Sequence, residues 1–507
     1  MKAKRTRNLI IMGVVLVLLI GVLVLIQIGN KKDKKDDGTD TVTYTEALTS
    51  FKESEISKVS YQYRDGEKLN YKLIKDIWYN ADDEDFPLSS TAFSNNFVTK
   101  FVAARTSREV EDADSDDKYG LDDPYLTLEV ENLGGIKETF YIGDYNSMLQ
   151  EYYLKIEGKD KIYTVNTDLL YVCREDMYDY ANVESFPAFA TDTLNDITIN
   201  NDGLTVKMVY MENGSETDLI GTCKWFFSTP FLTYRSAETN KIDDLQSDTL
   251  DKLQFSKLVN YKATKEDLDA YGLTDSKRQY IINYRDTDAD TGVTQNASKT
   301  VDFGAYDEAT GCYYARITKT VGNAKEVSGN VYLISKASAE AVLGIDPLDY
   351  IYKQVIYIKL SDIAAKPATS TEEAHDAGSI VFTTPDGEYT LLNKTTYTSE
   401  GKTEQNLYEI NGKEVDEEAL EDFYFDILSK CGVERIIYDQ STVVTDQDPV
   451  YTIVYNRQLD DYYGNVTVQY TTYDSNYYQA TVNGKTDILV NKRIMDETMA
   501  QLAEMTK

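Results

Sequence analysis

The nearest approach to a metal site in this 507-residue chain is Asp286-Thr287-Asp288-Ala289-Asp290, whose alternate carboxylates have the spacing that wraps a calcium ion in oxygen ligands. The frame then breaks. An EF-hand-type loop wants glycine at its sixth position and a bidentate glutamate at its twelfth, where this chain has Thr291 and Ala297, so the stretch reads as a hairpin insertion. Asp82-Asp83-Glu84-Asp85 and Asp112 to Asp117 read as solvated acidic loops. The one histidine, His375, falls in the Ala/Thr/Glu-rich stretch from Ala364 to Gly378, a loop by composition and a poor setting for a Ser-His or Cys-His nucleophile. Neither a G-x-x-x-x-G-K-[ST] phosphate loop nor a G-x-S-x-G elbow occurs. Carboxylate pairs that could hydrolyse a glycoside need facing geometry, which 86 acidic residues do not reveal by spacing alone. Cys173, Cys223, Cys312 and Cys431 lie far apart with no C-x-x-C pair, signalling neither zinc nor a disulfide framework. The sequence therefore predicts no catalytic, cofactor or metal residue set.

The chain exceeds what one hydrophobic core usually supports, which predicts several domains. Apolar residues at 42% and aromatics at 12% predict folding despite a net charge of -34. That charge repels phosphate backbones and anionic headgroups, which argues against nucleic acid and against lateral adhesion to a bilayer. The 41 tyrosines suit half-buried strands, where the ring packs and the hydroxyl reaches water. Leu9 to Ile28 is an apolar run broken only by Gly13, Gly21 and Gln27, long enough to cross a membrane as a helix. Lys2, Lys4, Arg5 and Arg7 precede it, and no small-x-small cleavage site follows, so residues 1–30 are expected to be a cytoplasmic start and an uncleaved anchor. Residues 31–43 read as a polar tether. The remainder is then extracytoplasmic.

Beyond the tether the chain repeats. In the first unit, residues 44–187, alternating Val59, Tyr61 and Tyr63, a turn at Asp65-Gly66 and a second alternation from Leu69 to Leu73 predict antiparallel strands ahead of Trp78. Phe93, Phe97 and Phe101 at four-residue spacing, behind Ser89, Ser90 or Thr91 as a cap, predict a helix. Tyr119-Gly120-Leu121, with Pro124 after it, then introduces further strands carrying Gly143, Tyr145 and the Tyr152-Tyr153 pair. The second unit, 188–355, answers with Trp225, a weak helix over Asp248 to Leu258, Tyr271-Gly272-Leu273, Gly304, Tyr306 and Tyr313-Tyr314. Residues 356–507 read as a degenerate third copy, with Asp416 capping a helix and Tyr477-Tyr478 in the place of the tyrosine pairs. Strands, a helix and more strands in each unit predict an α+β fold of largely antiparallel sheets with a covering helix. A repeat this long gives tandem domains instead of a thin solenoid.

The bland reading of these residues is structural. Glycine between two apolar residues before a strand is a positive-φ turn that buries the leucine, and the two tryptophans at matching positions share a packing role. One ring of each Tyr-Tyr pair is expected to point inward and the other outward, the outward row offering an interaction surface.

With its basic start, anchor, early tryptophan, Y-G-L-x-x-P and I-G-x, the sequence resembles the bacterial family called domain of unknown function 4340. Trp78, Tyr119 to Leu121, Pro124 and Ile142-Gly143 carry the first match; Trp225 and Tyr271 to Leu273 carry the second, with Ser276 in place of the proline and Phe303 in place of the isoleucine. The resemblance spans roughly Thr43 to Tyr352 and implies a membrane-anchored extracytoplasmic protein, often encoded near ABC-type transporters. It implies no catalytic residues. The leading expectation is a non-enzymatic binding or accessory protein whose partner is an ABC permease or another envelope protein. An envelope hydrolase with paired carboxylates and a passive surface spacer are the alternatives. No small-molecule ligand is specified.

Overall fold

Alternating burial builds the first sheet from short strands. The computed structural model describes residues 46–184, 193–365, 376–398, 402–457 and 464–507, with 367, 368 and 374. Val59 and Tyr61 of β1 (Ile56–Tyr63), Leu69 and Tyr71 of β2 (Leu69–Ile74) and Trp78 of β3 (Ile77–Asn80) are buried on one face. A helical stretch over 90–103 follows, and β4 (Arg108–Glu109), β5 (Leu126–Asn132), β6 (Lys137–Asn146), β7 (Glu151–Ile156) and β8 (Ile162–Asn166) complete the set. Their order across the sheet is β3-β2-β1-β5-β6-β7-β8-β4, with every pairing antiparallel.

The helix covers that sheet. Ser89 caps it, its hydroxyl accepting the Ala92 amide at 3.3 Å, and Phe93, Phe97 and Phe101 are fully buried. Phe97 stacks on Tyr61 with ring centres 5.8 Å apart, Phe93 lies 5.0 Å from Trp78, and Phe101 meets Phe140 of β6 edge-on at 5.4 Å. Between Ser90–Phe93 and Thr99–Ala103 the helix widens into a π turn, Ser94–Val98.

The same strand order recurs twice. The second sheet contains β9 (Leu194–Asn201), β10 (Leu204–Tyr210), β11 (Trp225–Thr229), β12 (Arg235–Ser236), β13 (Lys257–Asn260), β14 (Arg278–Thr287), β15 (Thr294–Asp307), β16 (Cys312–Val321), β17 (Ala324–Val327) and β18 (Val331–Ser335). They run β12-β11-β10-β9-β14-β15-β16-β18-β13, with β17 paired to β16 alone. The third contains β19 (Ser379–Thr384), β20 (Gly387–Asn393), β23 (Tyr408–Ile410), β24 (Lys413–Glu414), β25 (Val433–Ile436), β26 (Tyr451–Asn456), β27 (Asn465–Thr472), β28 (Tyr477–Val482) and β29 (Lys485–Asn491). Its order is β24-β23-β20-β19-β26-β27-β28-β29-β25, and β21 (Thr396–Tyr397) and β22 (Thr403–Gln405) form a separate hairpin. In each sheet the strand after the covering helix crosses to the far edge, and a helix follows the last long strand: Asp168–Val172, Lys336–Leu343 and Lys492–Met505.

By packing, the described chain divides into two compact units, one ending at Tyr180 and the other running from Ala181 to Lys507 with two of the three sheets. Mostly antiparallel sheets with few helices make the fold α+β. Among the described residues no helix is long and apolar enough to cross a membrane; the apolar run Leu9 to Ile28, the tether 31–43 and His375 lie outside them. The helix expected at Asp248 to Leu258 is displaced. It starts at Thr239 and ends in a π turn, Gln246–Leu250, so only its last turn overlaps, and Lys257 already belongs to β13.

Candidate binding surface

The Tyr-Gly-Leu turns end short helices. Gly120 has φ +65° and Gly272 φ +67°, conformations that glycine adopts without strain. The amide of Leu121 donates to the Asp116 carbonyl at 3.0 Å and that of Leu273 to the Leu268 carbonyl at 2.8 Å, so both turns close as Schellman-type caps with the following leucine buried. Each turn then leans on a second glycine. A β-carbon added to Gly143 would overlap the Tyr119 carbonyl oxygen, and one added to Gly304 would overlap that of Tyr271. The Ala305 amide donates to the Tyr271 carbonyl at 2.7 Å. Both strands bulge here, β6 between Ile142 and Tyr145 and β15 between Phe303 and Tyr306. Pro124 is half-buried just ahead of β5, where its missing N–H removes no ladder bond. Ser276 replaces it by donating its hydroxyl to the Phe303 carbonyl at 2.6 Å.

Register relates the tryptophans. Leu128, opposite Phe140, pairs with Tyr61; Tyr61 pairs with Leu69; and Leu73, four residues on, pairs with Trp78. In the second sheet Tyr280, opposite Val301, pairs with Ile199; Ile199 pairs with Val206; and Tyr210, four residues on, pairs with Trp225. Phe140 precedes Gly143 as Val301 precedes Gly304, so the two tryptophans hold one ladder position. Both are buried.

The bulge also sets the tyrosines. Tyr145 meets Tyr152 at 5.0 Å between ring centres and Tyr306 meets Tyr313 at 5.1 Å, on the core side of each sheet but past the end of the core. On the opposite side Tyr119 packs on Tyr153 at 4.7 Å and Tyr271 on Tyr314 at 4.4 Å. Tyr152 and Tyr313 thus take the core side and Tyr153 and Tyr314 the other side, and all four rings are half-buried. The bulge carries the strand end beyond the core, and the turn tyrosine covers the ring on the other face.

Beside the second turn, the outer face of β14, β15 and β16 holds a hollow of about 480 Å³ that spacing did not reveal. Arg316 donates to the Asp302 carboxylate at 3.3 Å and to the Leu273 carbonyl at 3.2 Å. Gln279 donates to Asp302 at 2.8 Å, Asn200 to Gln279 at 3.1 Å and Thr205 to Asn200 at 2.9 Å. Thr300 and Thr318 extend the lining, and the buried Arg316 Nε has no protein acceptor. Donors and acceptors fixed in this way suit recognition of polar groups. In the first unit the corresponding cross-strand pair is Tyr141 and Lys155, and Lys155 binds Asp116 just ahead of the turn.

The remaining candidates resolve into local chemistry. Asp288 accepts the amides of Asp290 and Thr291 and the Thr291 hydroxyl, closing the hairpin between β14 and β15; the Thr291 bonds hold its carboxyl below the usual range. All four cysteines are free; burial pushes Cys223 up to about 12 and Cys431 up to about 11, leaving them as thiols. On the helix Lys492–Met505, Asp496 accepts the hydroxyls of Tyr451 at 2.9 Å and Tyr478 at 2.6 Å from the third sheet and pairs with Lys492 at 2.9 Å. Burial pushes Asp496 up, but these donors outweigh it and hold the carboxyl low.

Residues 78–273 match the family model described as domain of unknown function, DUF4340. Over that stretch, less than half of the chain, the sequence is similar to this family. The DUF4340 match opens at Trp78 on β3 and closes at Leu273 of the second turn, spanning both tryptophans, both turns and Gly143. It stops short of Gly304 and the Tyr313-Tyr314 pair. No curated protein and no solved structure matches the chain.

Proposed function

We propose that this protein is a membrane-anchored extracytoplasmic binding or accessory component of a transport complex, held by Leu9 to Ile28 and recognising the outward part of an ABC-type permease. The observation that carries this reading is the outer face of the second sheet. There the Tyr271-Tyr314 pair stands in the same unit as a hollow of interlocked polar groups, Arg316, Asp302 and Gln279. Half-buried aromatic rings and a pre-ordered arginine are residue types that concentrate binding energy at interfaces, because little side-chain freedom is lost on docking. Two proteins anchored in one bilayer meet at high effective concentration, so a modest contact suffices. The DUF4340 resemblance adds the transport context.

The test is photocrosslinking in native membranes from a benzoylphenylalanine placed at Thr300 on the rim of the hollow, with a second at Leu133 on the β5–β6 hairpin of the first unit as reference. The proposal expects a transport permease to be captured from Thr300, and the yield to drop with Arg316→Ala. Capture of no membrane protein from Thr300, or equal yields with Arg316→Ala, contradicts it.

A further inference from the structure

In a chain of net charge -34, cations without carboxylate partners are informative. Most lysines and arginines of the first unit are paired: Lys58 with Glu131, Arg64 with Asp123, Lys72 with Glu84, Lys155 with Asp116 and Lys161 with Glu109. Lys100, Arg105 and Arg174 have no ion pair among the described residues, and all three line one cleft of about 490 Å³. Lys100 stands on the last turn of the covering helix, Arg105 directly after that helix, and Arg174 just past the helix Asp168–Val172. Ala103, Leu169 and Val172 supply an apolar floor, and Tyr171 stands exposed at its side.

We propose that this cleft is a binding site for a phosphate group, supplied either by a free phosphate or by a lipid headgroup. Three cations converge there against one lining carboxylate, Asp168, so the cleft is locally positive on an acidic protein. Arginine and lysine together are the usual recognition set for phosphate oxygens, arginine by two parallel N–H donors and lysine as a point charge. The apolar floor accommodates whatever carries the phosphate. The chain enters beside this site: Ala47 bridges Arg105, the Leu48 amide donates to the Ala104 carbonyl at 3.0 Å, and the Thr106 amide donates to the Glu46 carbonyl at 3.1 Å. Residue 46 follows the apolar run by so few residues that a fully extended connection reaches about 60 Å at most, which brings headgroups within range if that run is an anchor. The cleft and its phosphate chemistry do not depend on the transport reading, and only the lipid source depends on the anchor.

The test uses the full chain in nanodiscs and hydrogen exchange of the segments 99–106 and 168–174. One arm adds inorganic phosphate to phosphatidylcholine discs at constant ionic strength; the other replaces part of the lipid by phosphatidylglycerol with no free phosphate. At ligand tenfold above its Kd, exchange that requires an empty cleft slows by about tenfold. Slowing in the first arm identifies a soluble phosphate site, and slowing in the second alone identifies the headgroup. In either case the Arg105→Glu, Arg174→Glu double variant must abolish it while exchange elsewhere in the first unit is unchanged. Lys100→Glu, at an exposed position, serves the same purpose should the double variant fold poorly. No slowing in either arm, or slowing that survives these substitutions, overturns the proposal.

Discussion

Replacing Gly304 by alanine tests the account of the paired glycines at its tightest point. The added methyl would overlap the Tyr271 carbonyl oxygen and lie 3.0 Å from both Cγ and Cδ2 of Leu273. The turn must retreat, which breaks the 2.7 Å bond from the Ala305 amide to the same carbonyl. Forced overpacking costs about 1–3 kcal/mol and the lost hydrogen bond about 1 kcal/mol, so the expected loss is roughly 2–4 kcal/mol. For a unit of this size that lowers the melting midpoint by about 3–6 °C. Gly143→Ala should act on the first unit in the same way, since its methyl meets the Tyr119 carbonyl. The control is Gly66→Ala, whose methyl comes no closer than 3.4 Å to any neighbouring atom, all of them of Tyr63, and whose φ is not positive; it should stay within about 0.5 kcal/mol. Scanning calorimetry of the detergent-solubilised full chain reads all three. If Gly304→Ala and Gly143→Ala melt with the wild type, the close approach of turn and strand is not what fixes these glycines.

Three further outcomes follow from the packing and the charges. Phe97→Ala removes a fully buried ring stacked on Tyr61 and Phe93, and should destabilise the first unit by about 3–5 kcal/mol in urea titration. Ser89→Ala leaves the Ala92 amide without its acceptor and should cost about 1 kcal/mol, with faster exchange confined to the first turn of the helix. Asp487 is buried, and burial pushes its carboxyl above the usual range, against the opposing pull of the Leu232 amide and Arg235. A carboxyl whose native pKa is raised loses stability as pH rises from its unfolded value, near 4, through its native value. Asp487→Asn, which keeps an acceptor for Leu232, should therefore gain on the wild type with rising pH across that window; a pH-independent difference would contradict the assignment.

What the sequence disclosed was local. Phe93, Phe97 and Phe101 marked a helix because their spacing survives the widened turn between them, whereas Ile242, Leu245 and Leu250 concealed theirs, since the extra residue of the π turn at Gln246–Leu250 breaks the 3.6-residue period. Gly120 and Gly272 were legible because only a glycine sits easily at φ near +65°. Gly143 and Gly304 were visible as a recurring motif, but their reason, a carbonyl from another segment resting on the α-carbon, is tertiary. Two of the short edge strands were silent: Arg108 pairs with Thr164 and Lys257 with Leu333, contacts made across long loops by strands too brief to show alternation. The same holds for the polar hollow, because Asp302 faces Arg316 only through cross-strand register. Arg174 is distant in sequence from Lys100 and Arg105 and meets them only in the fold.

That the folded units stand outside the membrane underlies the proposed partnership, and Cys312 reports on it most directly. It is half-exposed at the start of β16, while Cys173, Cys223 and Cys431 are buried. A membrane-impermeant maleimide applied to intact, wall-stripped cells should label the protein at Cys312, and Cys312→Ser should remove the label. Labelling that appears only after the membrane is breached would contradict the account.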